Sequence, residues 1–498
     1  MRGRRGPKWW PTAAGAIAYA AFVVLRSWQF HGRGVGVWPD TASYQQTARA
    51  GWFSADLWAG RRAPGLPLVL KLTGEHLNAV IDLQFVASVL AWMATAWVVG
   101  RSLRAGWPRW LGSGLVLGFA LTGPVTLWDR QVLTESLSLT MLATTFAASF
   151  WFLQRITWPR ALLVVASALA WAAVRDGHAV PIGLAGLVVL VGVAVAAARR
   201  RAVAARVVAV GIALVFVAVA ARAGAEHGNR NLLPISNVYA VRVLPFPDRL
   251  DWFADHGMPQ RDRLESLVHS AHLANEPGAL IVPAVANRER DPLLAPYHHW
   301  LRDHGEATLL RYAITHPGYA FTEPFERPER GFNSFGGWSG YVPHHGEVPL
   351  VDRLLFPPWP VVLVLFVVAC VIAIWRRLGT WDWWLAFGWA GLGLVALAAA
   401  WHADGQELSR HVLVPDVQIR LAVFVALALA VNALAMAISA SPTAPTASPR
   451  PGSARRRRDA SSTSAATGPA PDISSPTDCA DSPATTAAGP DRDSRGTP

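Results

Sequence analysis

The amino-acid sequence predicts an all-α polytopic membrane protein with about ten transmembrane helices and one exported insertion domain of mixed or all-α structure. The chain of 498 residues is 52% hydrophobic and 16% charged, and its mean hydropathy is +0.27, which is too apolar for an ordinary soluble protein. Its apolar residues lie in long runs, most of them close to the roughly 20 residues that cross a bilayer. Arginines cluster at the ends of these runs, where they set topology.

The predicted spans alternate across the membrane from a cytoplasmic N-terminus. Four basic residues precede the first run and no small-residue cleavage site follows it, which predicts an uncleaved first helix with the N-terminus inside. Basic turns follow the second, fourth, sixth and eighth runs, as the positive-inside rule requires of cytoplasmic turns. The runs are residues 9–28, 78–100, 110–128, 132–153, 161–174, 179–198, 207–221, 358–375, 383–401 and 413–438.

The order of spans and polar stretches divides the chain into four parts. Residues 1–223 are predicted to form an N-terminal transmembrane module of seven helices, with a first exported loop at 29–77. Residues 224–356 are polar and rich in Pro and His, which predicts an exported domain whose segments 261–273 and 297–313 form amphipathic helices. Residues 357–440 hold the last three helices. Residues 441–498 are Ser/Thr/Pro/Ala-rich and predict a disordered cytoplasmic tail.

Composition also limits which binding partners and which cellular compartment we expect. The net charge of +12 lies at the ends of apolar runs, and no nucleic-acid module is visible, so no nucleic-acid partner is expected. Cys370 lies in a predicted span and Cys479 in the tail, so they cannot plausibly pair. Many of the 24 tryptophans lie near the ends of spans, as an interfacial belt does. We expect a multi-pass protein of the cytoplasmic membrane, with both termini inside.

The first exported loop carries the most distinctive residues. It contains Trp38-Pro39-Asp40-Thr41-Ala42-Ser43-Tyr44 and then Gly60-Arg61-Arg62-Ala63-Pro64-Gly65-Leu66-Pro67. Charged side chains at a lipid–water boundary are usually there for a reason. Each has an ordinary alternative: Asp40 would serve as an N-cap of a following helix, and Arg61 and Arg62 would anchor to lipid headgroups.

These motifs resemble the first exported loop of GT-C-type membrane glycosyltransferases, the class that includes protein mannosyltransferases and lipid A aminoarabinose transferases. Asp40 matches the catalytic acid of that family. The run from Val132 to Leu137 resembles the opening of its fourth helix, and the run from Arg311 to Pro317 resembles an amphipathic segment of its exported portion. The resemblance implies a GT-C-like fold and transfer of a sugar from a polyprenyl-phosphate donor to an acceptor on the exported side.

Such a reaction needs a base, cations for the departing phosphate and a site open to the bilayer. Asp40 is the candidate base, and Arg61 and Arg62 are candidate phosphate ligands because a guanidinium binds phosphate oxygens as a fork. Pro39 and Thr41 stand where the family has a second acid beside the first, so no metal ligands are predicted. No cofactor is predicted either, although a divalent metal is left open. The other candidate substrate-binding residues are Tyr44, Asp129, Glu135, Arg175, Arg410 and His411.

Several of these residues have a structural alternative. Asp129 and Arg175 would equally form an ion pair with each other. The last exported loop holds His402, Asp404 and Glu407 beside Arg410 and His411, but their spacing matches no structural zinc pattern. Asp416 and Arg420 are four residues apart, and this spacing predicts a salt bridge within one helix.

Two other functional classes stay open at this stage. One is a transporter or flippase of lipid-linked glycans, although the large exported insertion makes the two halves of the chain unequal, unlike the repeats of transporters. The other is a non-catalytic membrane protein with an exported partner-binding domain. A convergence of polar residues from the first loop and from helices four and ten would favour the enzyme.

Overall fold

The chain is helical almost throughout the part that the structure describes. The structure, a computed structural model, describes residues 10–32, 34–103, 106–196, 201–270, 292–326, 348–376, 381–403 and 408–440. Within these ranges the only β pairing is a single parallel bridge between Gly36 and Gln131. The all-α prediction is therefore confirmed. The predicted tail at 441–498 lies outside the described residues, as do Asp404 and Glu407.

The N-terminal part forms eleven helices, whose long members correspond to the first seven predicted spans. A 3₁₀ turn, Leu127–Arg130, follows the helix Gly123–Thr126, and another, Asp176–His178, precedes the helix Ala179–Ala196. The helices are α1 (Trp10–Phe30), α2 (Pro39–Ala48), α3 (Ala55–Ala59), α4 (Gly65–Leu72), α5 (Leu77–Ser102), α6 (Trp107–Phe119), α7 (Gly123–Thr126), α8 (Thr134–Gln154), α9 (Trp158–Val174), α10 (Ala179–Ala196) and α11 (Arg201–His227).

The predicted third span, 110–128, is wrong as a single continuous helix. Helix α6 ends at Phe119, and the chain bends by 63° before it continues as Gly123–Arg130. Pro124 explains the break, because proline has no backbone N–H to donate and its ring clashes with the preceding turn of a continuous helix. Proline at the start of a new helix carries no such cost, and it stands there in α7.

The predicted exported domain has a buried core of its own in its described residues. It consists of short helices joined by three π-helical turns, Tyr239–Val243, Leu301–Gly305 and Gly318–Thr322. The core is aromatic, and the hydroxyl of its buried Tyr239 donates to the Gly305 carbonyl at 2.9 Å. The helices are Leu232–Val238, Pro247–Asp255, Arg261–Ser270, Ala295–Trp300, Glu306–Thr315 and Glu323–Glu326.

The last part of the chain returns to the helix bundle. It contains the helices Pro349–Leu355, Trp359–Trp375, Trp381–Ala403, Leu408–His411 and Leu413–Ala440. Helix Leu413–Ala440 packs against Trp381–Ala403, Trp359–Trp375, α6 and α8, while α5 packs against α6 and α8. The largest buried apolar cluster joins these helices to α1, α4 and α9.

The bundle is that of a multi-pass membrane protein. Five helices of the described chain are long and apolar enough to cross a bilayer, or seven if each of two bent helix pairs is one span. Their outward faces carry large apolar side chains, such as Leu90 and Phe216, that are more than half exposed and suit contact with lipid. The two bent pairs are the one at Phe119–Gly123 and a 48° bend between Leu355 and Trp359.

Candidate functional site

Asp40 lies in the first turn of α2. The helix begins at Pro39, whose missing N–H and fixed φ suit a first helical position. The N-cap is Trp38, whose backbone N–H donates to the Thr41 hydroxyl at 3.0 Å. The alternative in which Asp40 is the N-cap is therefore wrong, and its carboxylate is free to bind groups from other parts of the chain.

Backbone pairing holds α2 beside the start of α8. Gly36 donates its N–H to Arg130 and accepts from the N–H of Val132, at 2.8 and 2.9 Å. The two segments approach so closely that a Cβ at Gly36 would overlap the side chain of Gln131. The Thr41 hydroxyl also donates to the Val132 carbonyl at 3.1 Å. These contacts place Asp40 close to the first turn of α8.

Two arginines bind the Asp40 carboxylate, one on each oxygen. Arg62 donates to Oδ1 at 2.7 Å and Arg410 donates to Oδ2 at 3.1 Å. Arg62 also donates its Nε–H to the Ser43 hydroxyl at 2.7 Å, and its guanidinium lies 4.8 Å from the ring centre of Tyr44. The first loop therefore folds back on itself so that Arg62, Ser43 and Tyr44 surround Asp40 on one side.

Glu135 extends this cluster into the bundle. It is fully buried in the first turn of α8 and accepts from Arg410 at 2.5 Å and from Arg175 at 3.4 Å, both through Oε1. Its Oε2 is buried with no hydrogen-bond partner. Arg410, itself 4% exposed, joins the two carboxylates. Buried charges at a membrane boundary are costly, so this concentration of them marks a functional site more strongly than any single residue does.

Arg230 fixes the position of the two segments that carry Arg62 and Arg175. It pairs with Asp176 at 2.8 Å and donates to the carbonyls of Gly60 and Arg62 at 3.0 and 3.3 Å. Gly65, next to this segment, packs so tightly on the end of α9 that a Cβ there would lie 2.7 Å from the Cα of Val174. The segment that carries Arg62 is thus held both by Arg230 and by the end of α9.

The cluster carries excess positive charge. With both carboxylates ionised, the guanidiniums of Arg62, Arg175 and Arg410 leave one net positive charge. Burial acts to raise the pKa of Asp40, but Arg62 and Arg410 together outweigh it and hold that pKa below its ordinary value. Burial also raises the pKa of Tyr44, which stays a neutral phenol. The arrangement presents an ionised carboxylate beside guanidiniums that suit a further anion.

Asp129, a predicted site residue, belongs to a second buried ion pair. Arg26 in α1 donates to its carboxylate at 2.5 Å and also to the Ser88 hydroxyl at 2.8 Å. Ser136 donates to the other oxygen of Asp129 at 2.7 Å. The alternative pairing of Asp129 with Arg175 is therefore wrong, because Arg175 binds Glu135.

The remaining predicted residues divide between the cluster and the surface. Arg61 is exposed, whereas the neighbouring Arg62 is half-buried and bound to Asp40. His411 follows Arg410 in the same short helix and lies within electrostatic range of Glu135. Away from the cluster, the predicted salt bridge between Asp416 and Arg420 is confirmed, at 2.9 Å.

Six residues of these two charged networks were not predicted from sequence: Arg26, Ser43, Ser88, Ser136, Asp176 and Arg230. Arg26 carried a usable signal, since a charge within the first apolar run needs a buried partner. Asp176 follows Arg175 directly and Arg230 opens the polar stretch after α11, but nothing in the sequence links them. Among the described residues, no group of three or more His, Cys, Asp or Glu side chains is arranged to hold a metal ion.

Comparison with known proteins does not assign this arrangement of residues to a class of protein. The chain matches no protein-family model and no curated protein. The fold and the site together define a multi-pass, all-α membrane protein with a buried cluster of carboxylates and guanidiniums at one end of its helix bundle.

Proposed function

We propose that the protein is a GT-C-type membrane glycosyltransferase that transfers a sugar from a polyprenyl-phosphate donor to a hydroxyl acceptor on the exported side of the cytoplasmic membrane. The observation that carries the proposal is the convergence of the first loop, α8 and the segment before the last helix on one charged cluster. Asp40, Glu135 and Arg410 come from these three places and are linked by hydrogen bonds. A scattered arrangement would have removed the main support for an enzyme.

The proposed reaction assigns the two kinds of charge to two tasks. The acceptor hydroxyl attacks the anomeric carbon of the sugar, its proton passes to the Asp40 carboxylate, and the bond from the anomeric carbon to the phosphate oxygen breaks. The products are the glycosylated acceptor and the polyprenyl phosphate. Arg62 and Arg410 stabilise the negative charge that develops on the departing phosphate.

Binding of the sugar donor has to rearrange the cluster, because in this structure Arg62 and Arg410 donate hydrogen bonds to Asp40. A donor phosphate competes for the same guanidiniums. As they turn toward the phosphate, Asp40 loses the contacts that depress its pKa and becomes a better proton acceptor. The resting carboxylate is thus a weak base that strengthens once the donor is bound.

Apolar surface beside the cluster suits the lipid part of such a donor. Trp52, Phe53 and Trp58 of the first loop are each close to half exposed or more. Exposed aromatic side chains of this kind are typical of the membrane interface. They support a site that a polyprenyl chain reaches from the bilayer. The proposal includes ten spans with both termini inside.

The test is transfer by the purified full-length protein in proteoliposomes. A panel of polyprenyl-phosphate donors with radiolabelled sugars is presented with cell-envelope acceptors, and both labelled acceptor and released polyprenyl phosphate are measured. We expect both products in equal amounts with wild type and a strong loss with Arg410→Lys, which keeps the charge but loses the fork. Arg49→Lys, in an exposed pair with Glu75, is the matched control. Passage of intact donor between leaflets without release of polyprenyl phosphate would contradict the proposal and support a transporter.

A further inference from the structure

Arginines at the end of the helix bundle remote from Asp40 are stacked over tryptophans. The guanidinium carbon lies 4.9 Å from the ring centre in Arg101–Trp97, 5.6 Å in Arg109–Trp110, 4.6 Å in Arg160–Trp151 and 5.6 Å in Arg376–Trp375. These arginines lie at the ends of α5 and Trp359–Trp375 or at the starts of α6 and α9. The same arginine–tryptophan contact thus occurs four times, in separate helices, at this end of the bundle.

These stacked arginines lack acidic partners in the part of the chain that the structure describes. Arg26, Arg62, Arg175 and Arg410 at the site end all form ion pairs, whereas Arg101, Arg109, Arg160 and Arg376 form none. Arg160 lies within electrostatic range of two further cations, Arg101 and Arg155. Like charges held together without counter-ions attract an anion from outside the chain.

Stacking leaves the binding edge of a guanidinium available. A tryptophan contacts the face of the group, while its N–H donors point outward in the plane. An arginine that is paired with a carboxylate has already used this fork. The stacked arginines are therefore oriented by their aromatic neighbours and still have donors for a phosphate, although Arg160 already uses one of them on the Trp151 carbonyl at 2.6 Å.

One of these arginines faces a cavity. A space of about 180 Å³ between α1, α5 and α6 is lined by Gly15, Tyr19, Trp97, Arg109, Trp110 and Ser113. Gly15 leaves room for the Trp110 ring, because a Cβ there would lie 2.3 Å from it. The Ser113 hydroxyl is oriented by its hydrogen bond to the Ala96 carbonyl, at 3.0 Å. The cavity combines one cation, two hydroxyls and aromatic walls.

We propose that this cavity binds the headgroup of an anionic phospholipid, with the Arg109 guanidinium on the phosphodiester and the Trp97 and Trp110 rings against the glycerol and the first part of the acyl chains. Its surroundings favour a lipid over a soluble phosphate. Ile17 and Trp107, which lie close in sequence to residues that line the cavity, are 68% and 60% exposed, and the lining residue Trp97 is 41% exposed. A ligand that carries acyl chains covers this apolar surface, and a free phosphate does not. The site is independent of the proposed transfer reaction.

The test uses delipidated full-length protein in detergent, with bound lipid counted by native mass spectrometry. Phosphatidylglycerol is compared with phosphatidylcholine of the same chains and with soluble glycerol phosphate. We expect wild type to bind phosphatidylglycerol about tenfold more tightly than phosphatidylcholine, the scale of one charge-assisted contact, and Arg109→Gln to lose this preference. Arg155→Gln removes an exposed charge from the same end and should keep it. Unchanged preference in Arg109→Gln, or equal affinity for glycerol phosphate, would overturn the site.

A second measurement does not depend on a variant that folds. A photoactivatable phosphatidylglycerol is crosslinked to the wild-type protein and the labelled peptides are mapped. We expect label on the segments 15–19 and 109–113, which line the cavity. Label confined to other helices would overturn the assignment.

Discussion

Arg410 should be the residue whose removal destabilises the protein most clearly, because it joins two carboxylates. The change is Arg410→Met, which keeps the length of the side chain and removes its charge. Glu135 would then keep one cation, Arg175 at 3.4 Å, and would retain an oxygen with no hydrogen-bond partner. Removing one partner of a buried ion pair costs about 3–5 kcal/mol. We expect a loss of about 3 kcal/mol, at the lower end because Arg175 stays in place.

The double variant Glu135→Gln/Arg410→Met separates the loss of charge pairing from the loss of packing. Glu135→Gln alone should cost less than Arg410→Met, since Arg410 keeps its contact with Asp40 at 3.1 Å. With both changes the unpaired buried carboxylate disappears, so the combined cost should fall below the sum of the single costs by about 1 kcal/mol or more. The assay is reversible unfolding in mixed micelles, followed by circular dichroism.

An exposed pair provides the matched control. Arg49 and Glu75 are 3.0 Å apart, but the Arg49 side chain is 69% exposed, so Arg49→Met should leave the free energy of unfolding almost unchanged. Single costs at positions 135 and 410 that simply add, within about 0.5 kcal/mol, would refute the reasoning. So would a cost for Arg410→Met no larger than that for Arg49→Met.

Three further predictions address the first loop and the topology. Arg62→Lys should weaken sugar transfer because lysine keeps the charge but loses the guanidinium fork that binds the donor phosphate, whereas Arg61→Lys, at an exposed position, should be nearly silent; equal rates in the two variants would count against phosphate binding by Arg62. The pKa of Asp40 is depressed in the folded state, so its stabilising contribution is present above its ordinary pKa of about 3.9 and is lost as the pH falls through the folded value. The difference in unfolding free energy between wild type and Asp40→Asn should therefore be constant from about pH 8 to 5 and shrink only below about pH 4. Reporter fusions at Gly106 and Ala202 should be cytoplasmic and one at Gly278 exported, and a cytoplasmic signal at Gly278 would reverse the proposed sidedness.

The helices could be predicted closely because a membrane makes the apolar pattern decisive. The run at 78–100 becomes Leu77–Ser102, and the run at 383–401 becomes Trp381–Ala403. The main error was the break before Pro124, where a strongly apolar pattern hid the effect of proline on the backbone. The π-helical turns were also unpredicted, since they depend on packing within the separate core of residues 235–319 rather than on composition.

The types of residue in the site could be predicted, but most of their pairings could not. Asp40 and Arg410 are 370 positions apart, and no local pattern relates them. The salt bridge of Asp416 with Arg420 was predictable because four positions along a helix return to the same face. The alternative pairing of Asp129 with Arg175 was wrong for the same reason that Asp40 could not be paired, since the partner of Asp129 is Arg26, which lies in a different helix.

The most direct measurement is sugar transfer by Asp40→Asn and Asp40→Ala beside wild type, with polyprenyl-phosphate binding and unfolding measured on the same samples. Asp40→Asn keeps the size of the side chain but removes the proton acceptor, so turnover should fall by roughly 100-fold or more, the scale of a lost general base. Donor binding should persist in both variants, because Arg62 loses its carboxylate partner and Arg410 keeps only Glu135. Near-normal transfer by Asp40→Asn would contradict the account, even in a protein that proves to be a glycosyltransferase.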